Sequence, residues 1–440
     1  MDTVNMNYFE EKFDQLQAAK GRNIISDIRK EGFKSFNKTG LPTTRNEEWK
    51  YTGPGISNLF KKEYHLAEDE LENTISTLDI NSVRLPGFEN ANELIFVNGK
   101  YDAGLSNIRS SENELIVMPL EEAAEGTYKE IINAHLNKSS LVIKDGIHAL
   151  NTSFIYGGVF IYVKKKQVLD HPVYVYHFSD ARENHTLSQP RSLVYVDESA
   201  KLQLAESFVT IGSMDSFTNG VMEIVVNTNA IVEYYKVQND TVNASQVSTT
   251  HIRQIGKCYV HAVTISLNGG VIRNNMNLLM EEADNEAHLY GLYLLKGKTH
   301  VDNHTLVDNQ KPNCFSNEFY KGILDDSATG VFSGKIFVRP DAQKTNAYQS
   351  NKNILLSDNA TINTKPQLEI FADDVKCSHG CTIGQLDEEA LFYLRTRGIS
   401  KEHAQSMLLK AFAEDIVSQI KLTPLRNYVE ELIINRLAIN

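Results

Sequence analysis

Between about Leu141 and Leu386 the chain runs for more than two hundred residues in short β-branched and aromatic segments, almost without helical periodicity. Gly158-Val-Phe-Ile-Tyr-Val163, Pro172-Val-Tyr-Val-Tyr176 and Ser192-Leu-Val-Tyr-Val196 are typical, and such runs read as strands. A loose repeat narrows the possible folds. An apolar residue, a polar or Gly-rich corner, a small residue and a new strand recur at Val196–Leu202, Val226–Val232, Leu267–Ile272, Ala283–Leu289, Leu324–Gly330 and Leu356–Ile362. Asn, Asp and Gly tolerate the left-handed backbone of a sharp corner. The small residues Ala200, Ala230, Gly270, Ala287, Ala328 and Ala360 let successive corners stack, at irregular spacings of 30, 40, 17, 41 and 32 residues. The pattern predicts a mainly β chain built on a β-solenoid, each turn burying its apolar face on the next. The competing fold is a large antiparallel sandwich with strands every 8–12 residues or about that.

The ends of a solenoid are bare sheet edges that need covers, and both flanks of this chain read as helical. From Asn7 to about Lys38, Phe9, Phe13, Leu16, Ile24, Ile25 and Ile28 recur at helical spacing, until Gly40-Leu-Pro42 breaks the pattern. The single tryptophan, Trp49, reads as an anchor packing a loop onto the next layer. Glu93–Asn98 reads as a strand turning at Asn98-Gly99, and Leu120–Leu136 as helix. After Leu386 three short helices are expected. Asp387 caps the first and Gly398 ends it, Ser400 caps the second, and Thr423-Pro424 opens the third. These helices either dock a partner or merely cover the solenoid. The expected organisation is an N-terminal, largely helical part over 1–140, a solenoid over 141–386 and a C-terminal helical part over 387–440.

A formal charge of −12 disfavours nucleic acid as a partner. No apolar run approaches the roughly 20 residues of a membrane span, and the first residues lack a signal-peptide pattern. Four cysteines are too few for a secreted disulfide framework, so reduced thiols and a cytoplasmic location are expected. There is no Gly-x-Ser-x-Gly elbow, phosphate-binding Gly-x-x-x-x-Gly-Lys-Ser/Thr loop or His-Glu-x-x-His pair.

The sharpest chemical signal is Phe371–Gly384, FADDVKCSHGCTIG. If it is extended, Cys377, His379 and Cys381 share one face, and all three are metal-ligand types. His300, Asp302 and His304 form a second alternating row, readable as a metal site or as a hydrogen-bonded ladder on the solenoid's outer face. Cys314 stands with that row in character, and Cys258 reads as a buried strand residue. Asp373-Asp374 offers the acid pair of a solenoid polysaccharide hydrolase, yet adjacent strand residues face opposite ways. A structural adaptor without metal chemistry is the third reading.

The motifs Gly40-Leu-Pro42, Glu47-Glu-Trp-Lys-Tyr51, Ala149-Leu-Asn-Thr152, Asp302-Asn-His-Thr305, Lys311-Pro-Asn-Cys314, Tyr320-Lys-Gly322, Ala328–Gly334, Gln343-Lys-Thr345, Pro366–Ile370, Asp373–Gly380 and Leu391–Ile399 run along the chain in this order. In them the sequence resembles the SufD family, subunits of the SUF iron–sulfur cluster assembly complex. The resemblance implies a right-handed parallel β-helix between helical ends, and a scaffold rather than an enzyme. It implies pairing with the related SufB through the β-helices, and with the ABC-type ATPase SufC through the C-terminal helices. ATP-driven closure of SufC would rearrange the interface where the nascent cluster forms. It further implies a transient cluster shared with the partner, no tightly bound cofactor in the isolated chain, and a possible homodimer of the chain alone. The family's interface cysteine and histidine match Cys377 and His379, the histidine being tied more firmly to assembly. The Cys-Ser-His-Gly form is absent from the matching stretch of SufB. One departure is Cys381, where the family usually has Ala, and its role as a metal ligand is only an added option.

Overall fold

In the computed structural model, which describes residues 3–19, 23–66 and 75–437, the chain winds into a parallel β-solenoid of about eight turns. Each turn lays one strand in each of two facing sheets. The first sheet receives Lys201–Ile211, Ile231–Asn239, Tyr259–Asn268, Glu286–Leu295, Phe315–Leu324, Asn346–Leu355 and Lys376–Gly384. The second receives Ser216–Val226, Ala244–Gln254, Val271–Met280, His300–Asn309, Thr329–Val338 and Thr361–Ile370. All of these neighbours pair in parallel, which overturns the antiparallel sandwich.

Two kinds of corner alternate, one leading into each sheet. Ala200, Ala230, Cys258, Asn285, Cys314 and Thr345 stack at the first, each carbonyl accepting the N–H that opens the following turn's strand. Successive members of this column are 27–31 residues apart. Ala244, Gly270, Thr299, Ala328 and Ala360 stack at the second. The small residues of the sequence repeat therefore belong to two interleaved columns, which is the origin of their irregular spacing. Ala287 belongs to neither: it lies inside a strand and faces the core. Ser199, Asn229, Asp284, Asn313 and Lys344 precede the first column with left-handed backbone. Asn and Asp suit this conformation. Ser199 and Lys344 also adopt it, and both donate their N–H to the next turn's corner, at Thr228 and Asp374.

Strand alternation fills the interior with columns such as Leu202, Val232, Val260 and Ala287, continued by the buried Ser316 and Ala347. The N-terminal part covers the outer face of the second sheet. Helices Thr3–Ala19, Ile24–Thr39 and Gly146–Ser153 lie there, and Phe9, Phe36, Trp49 and Phe60 bury against Phe217 and Val247. Asn23 and Ser26 form a reciprocal capping box at the start of the second helix. Asn151 is bound on both sides of its amide: Nδ2 donates to the carbonyls of Pro190 and Asn219, and Oδ1 accepts from Arg191. Helices Lys401–Val417 and Thr423–Leu437 cover the first sheet, burying Leu409, Ile416, Leu425, Val429 and Ile433 against Tyr235, Val263, Ile265, Leu292 and Ile323. Lys321 fastens them by bonding the Phe412 carbonyl at 2.8 Å and the Asp415 carboxylate at 2.5 Å.

The two ends differ. The sheets reach back before residue 141, to Asn92–Val97 and Leu115–Pro119. They end there in antiparallel strands, Lys100–Asn107 on the first sheet and Leu115–Pro119 on the second, and among the described residues no strand pairs with the outer edges of these two. At the other end Thr361–Ile370 and Lys376–Gly384 are the last strands, and among the described residues nothing pairs with their outer edges. No helix among the described residues is long and apolar enough to cross a membrane.

Two outcomes follow from this packing. Burial pushes the Glu223 carboxyl up, but Arg191 at 2.7 Å, His251 and the Ser139 and Asn137 amides outweigh it and hold the group at about 2 against an ordinary 4.5. The folded pKa lies below the unfolded one, so this stabilisation is complete above the unfolded value and is lost as pH falls from about 4.5 to about 2. Glu223→Gln should cost about 3–5 kcal/mol in urea unfolding at pH 7, since it strands the buried Arg191, and should flatten the acid limb of stability. At Gly322 an added Cβ would run into the Tyr293 ring. Gly322→Ala should lower stability by about 1–3 kcal/mol, and an unchanged urea midpoint would contradict this packing.

Candidate functional site

The last strand of the first sheet, Lys376–Gly384, repeats the face alternation of the strand beneath it. Cys377 stands over Ala347, His379 over Gln349, Cys381 over Asn351 and Ile383 over Asn353. Those four lower residues are buried in the solenoid interior. Cys377, His379 and Cys381 therefore share the inward face, as the alternation predicts. No further turn closes over them. Cys377 is half-buried against the core, while His379 and Cys381 are exposed.

Strand geometry limits what these three can bind. From Cys377 to Cys381 the backbone advances about 13 Å, whereas a metal–thiolate bond is about 2.3 Å. One ion cannot reach both thiols on an intact strand, so at most two adjacent members share it. Among the described residues no group of three or more His, Cys, Asp or Glu side chains is arranged to hold a metal ion. Burial pushes the Cys377 thiol up, with an opposing hydrogen bond from the Ala347 backbone. In the isolated chain it is a thiol, and metal binding would have to displace its proton.

Under the exposed row lies a polar floor. Asn351 Nδ2 donates to the Tyr293 hydroxyl at 2.9 Å and to the Tyr320 carbonyl. Asn353 Nδ2 donates to Asn351 Oδ1 at 2.7 Å and to the Thr382 carbonyl of the last strand. Gln349 donates to Glu318, fully buried one turn further in. No local sequence pattern marks these residues, since they meet only through stacking of segments about 30 residues apart.

The other sequence candidates lie elsewhere. His300, Asp302 and His304 do line one side of a strand, on the outer face of the second sheet under the N-terminal part. Asp302 accepts from Arg273 at 2.8 Å and from Thr52 at 2.5 Å, and lies 3.1 Å from His304. His304 holds the Glu48 carboxyl down to about 2. The row is a hydrogen-bonded ladder beside a half-open cleft of about 420 Å³. Trp49 anchors this contact as expected, its ring 3.9 Å from the Arg273 guanidinium and its Nε1 donating to Asp145. Cys258 and Cys314 are buried corner residues rather than strand positions, and burial pushes their thiols up to about 12 and about 11. Asp373 and Asp374 sit on a bend before the last strand, not on a strand, and Asp374 is tied to Gln343 and Lys344 of the previous corner. The first C-terminal helix, Glu388–Thr396, which follows the last strand, buries none of its residues and exposes Phe392 and Tyr393 at 67% and 57%.

Comparison with known proteins adds to this geometry. Residues 177–412 match the model of the SUF system FeS cluster assembly SufBD core domain, and residues 3–175 match the SufBD protein N-terminal region. An iron–sulfur cluster assembly SufBD family protein of Synechocystis is 30% identical over 98% of this chain and 97% of its own length. The iron–sulfur cluster assembly protein SufD of Escherichia coli is 29% identical, covering 89% of this chain and 88% of its own. SufD of Bacillus subtilis is 24% identical over 89% and 90%. With a solenoid between helical ends and both family models matched across nearly its whole length, the chain belongs to the SufBD family of SUF iron–sulfur cluster assembly proteins.

Proposed function

We propose that this chain is a non-catalytic scaffold subunit of a cytoplasmic SUF complex, in the place that SufD holds. Its open last turn pairs with the related solenoid SufB, and Cys377 and His379 face the nascent iron–sulfur cluster there. The cluster is cargo, shared with the partner and passed on. The C-terminal helices hold the ATPase SufC, to which ATP hydrolysis belongs.

The last turn carries this reading: its two strands present outer edges that nothing pairs with among the described residues, beside a thiol and an imidazole that continue interior columns. Bare edges are templates for pairing with another chain. Iron–sulfur clusters take thiolate and, in some centres, imidazole ligands, four protein ligands in all. Cys377 and His379 supply two at most, which supports a site completed by a second subunit. Cys381 is an extra thiol on the same face and is not required. The exposed Phe392 and Tyr393 support a docking role for the helices, since aromatic residues concentrate at interface hot spots.

Affinity capture of the full-length chain should recover an ABC-type ATPase and a second solenoid subunit. Ending the chain after Leu386 should remove the ATPase and keep the solenoid partner. His379→Ala in the assembled complex should lower iron and sulfide incorporation by about ten-fold or more while ATPase binding persists. Full incorporation by that variant would contradict the role of His379. Phe392→Ala with Tyr393→Ala should weaken ATPase binding by about 2 kcal/mol or more in calorimetric titration, without changing the melting temperature of the chain.

A further inference from the structure

An ionisable group lies directly inward of His379. Gln349 is its neighbour one turn in, and Glu318 is the next member of the same column. Glu318 is fully buried and Gln349 is 3% exposed. Gln349 Nε2 lies 2.6 Å from Glu318 Oε2, while Gln349 Oε1 is buried without a hydrogen-bond partner. The facing strand makes room for this amide. A Cβ at Gly334 would lie 2.8 Å from Gln349 Cδ, closer than packed atoms allow, so glycine there keeps the amide in its slot.

An amide placed between a carboxyl group and an imidazole can point either way. Ionised Glu318 accepts from Nε2, leaving Oε1 to accept from the next turn. Protonated Glu318 donates to Oε1, leaving Nε2 to donate. We propose that Glu318, acting through Gln349, is a positioning residue that sets the hydrogen-bond partner His379 meets from inside the solenoid, and so which ring nitrogen remains free for the cluster. This rests on the reading of His379 given above. Burial pushes the Glu318 carboxyl up to about 7, with Thr305 and Gln349 opposing, so both forms are populated near neutrality. Among the described residues the titratable group that interacts with it is the Tyr320 phenol, raised by burial and therefore uncharged there.

The test is the tautomer ratio of the neutral His379 ring, read by nitrogen-15 NMR on the full-length chain labelled at histidine, with His379→Gln identifying its signals. In the native chain the ratio should change about five-fold as Glu318 ionises, the factor one net hydrogen bond supplies. Glu318→Gln should hold the ratio constant with pH at an unchanged melting temperature, and Gly334→Ala should bring it to that of free imidazole. The same pH dependence in folded Glu318→Gln as in the native chain would overturn the proposal. So would a pH-independent ratio in the native chain itself, a measurement that needs no variant to fold. A ratio that responds as described, combined with full cluster assembly by His379→Ala, would sink the assembly role of His379 and leave the positioning in place.

Discussion

The structure depends on the in-register parallel ladder. Each strand satisfies its backbone N–H and C=O groups with the turn on either side, so an interior turn is complete only because two neighbours exist. A terminal turn lacks one neighbour. At the N-terminal end the parallel ladder ends in the antiparallel strands Lys100–Asn107 and Leu115–Pro119. At the C-terminal end the chain runs from the last strand directly into helices that cover a face rather than an edge. The C-terminal edges are left unpaired by where the helices fall, and under the proposed function they are where a second solenoid pairs.

The same ladder aligns side chains into columns, and this gives the last strand its chemistry. Cys377, His379 and Cys381 continue interior columns that run through Ala347, Gln349 and Asn351. They occupy core positions at a level where no further turn covers them. The floor beneath is hydrogen-bonded within the chain by Asn351, Asn353 and Tyr293. Under the proposed function, a half-site with only two usable ligands suits a cargo that must be built and released.

Much of this was legible in the sequence because its cause is local. Alternation placed Cys377, His379 and Cys381 on one face, and Asp387, Gly398 and Ser400 marked the C-terminal helices, where Asp387 and Ser400 cap and Gly398 is left-handed. The corner repeat pointed to a solenoid although it mixed two columns, since both kinds of corner use small and left-handed residues. What stayed hidden depends on register. Glu318 and Gln349 meet across 31 residues, and His300 and Asp302 meet Thr52 across about 250. No pattern within a segment encodes such a pairing. Cys258 looked like a strand residue because its corner position is as buried as the strand interior.

The central claim, that the last turn is half of a shared structure, is tested most directly by amide hydrogen exchange over Lys376–Gly384 in the isolated chain and in the assembled complex. The outward amides of this edge strand should exchange rapidly in the chain alone and become strongly protected in the complex, while the amides of Phe315–Leu324 stay slow in both. Equal, rapid exchange of the last strand in the chain and in an intact complex would contradict the account.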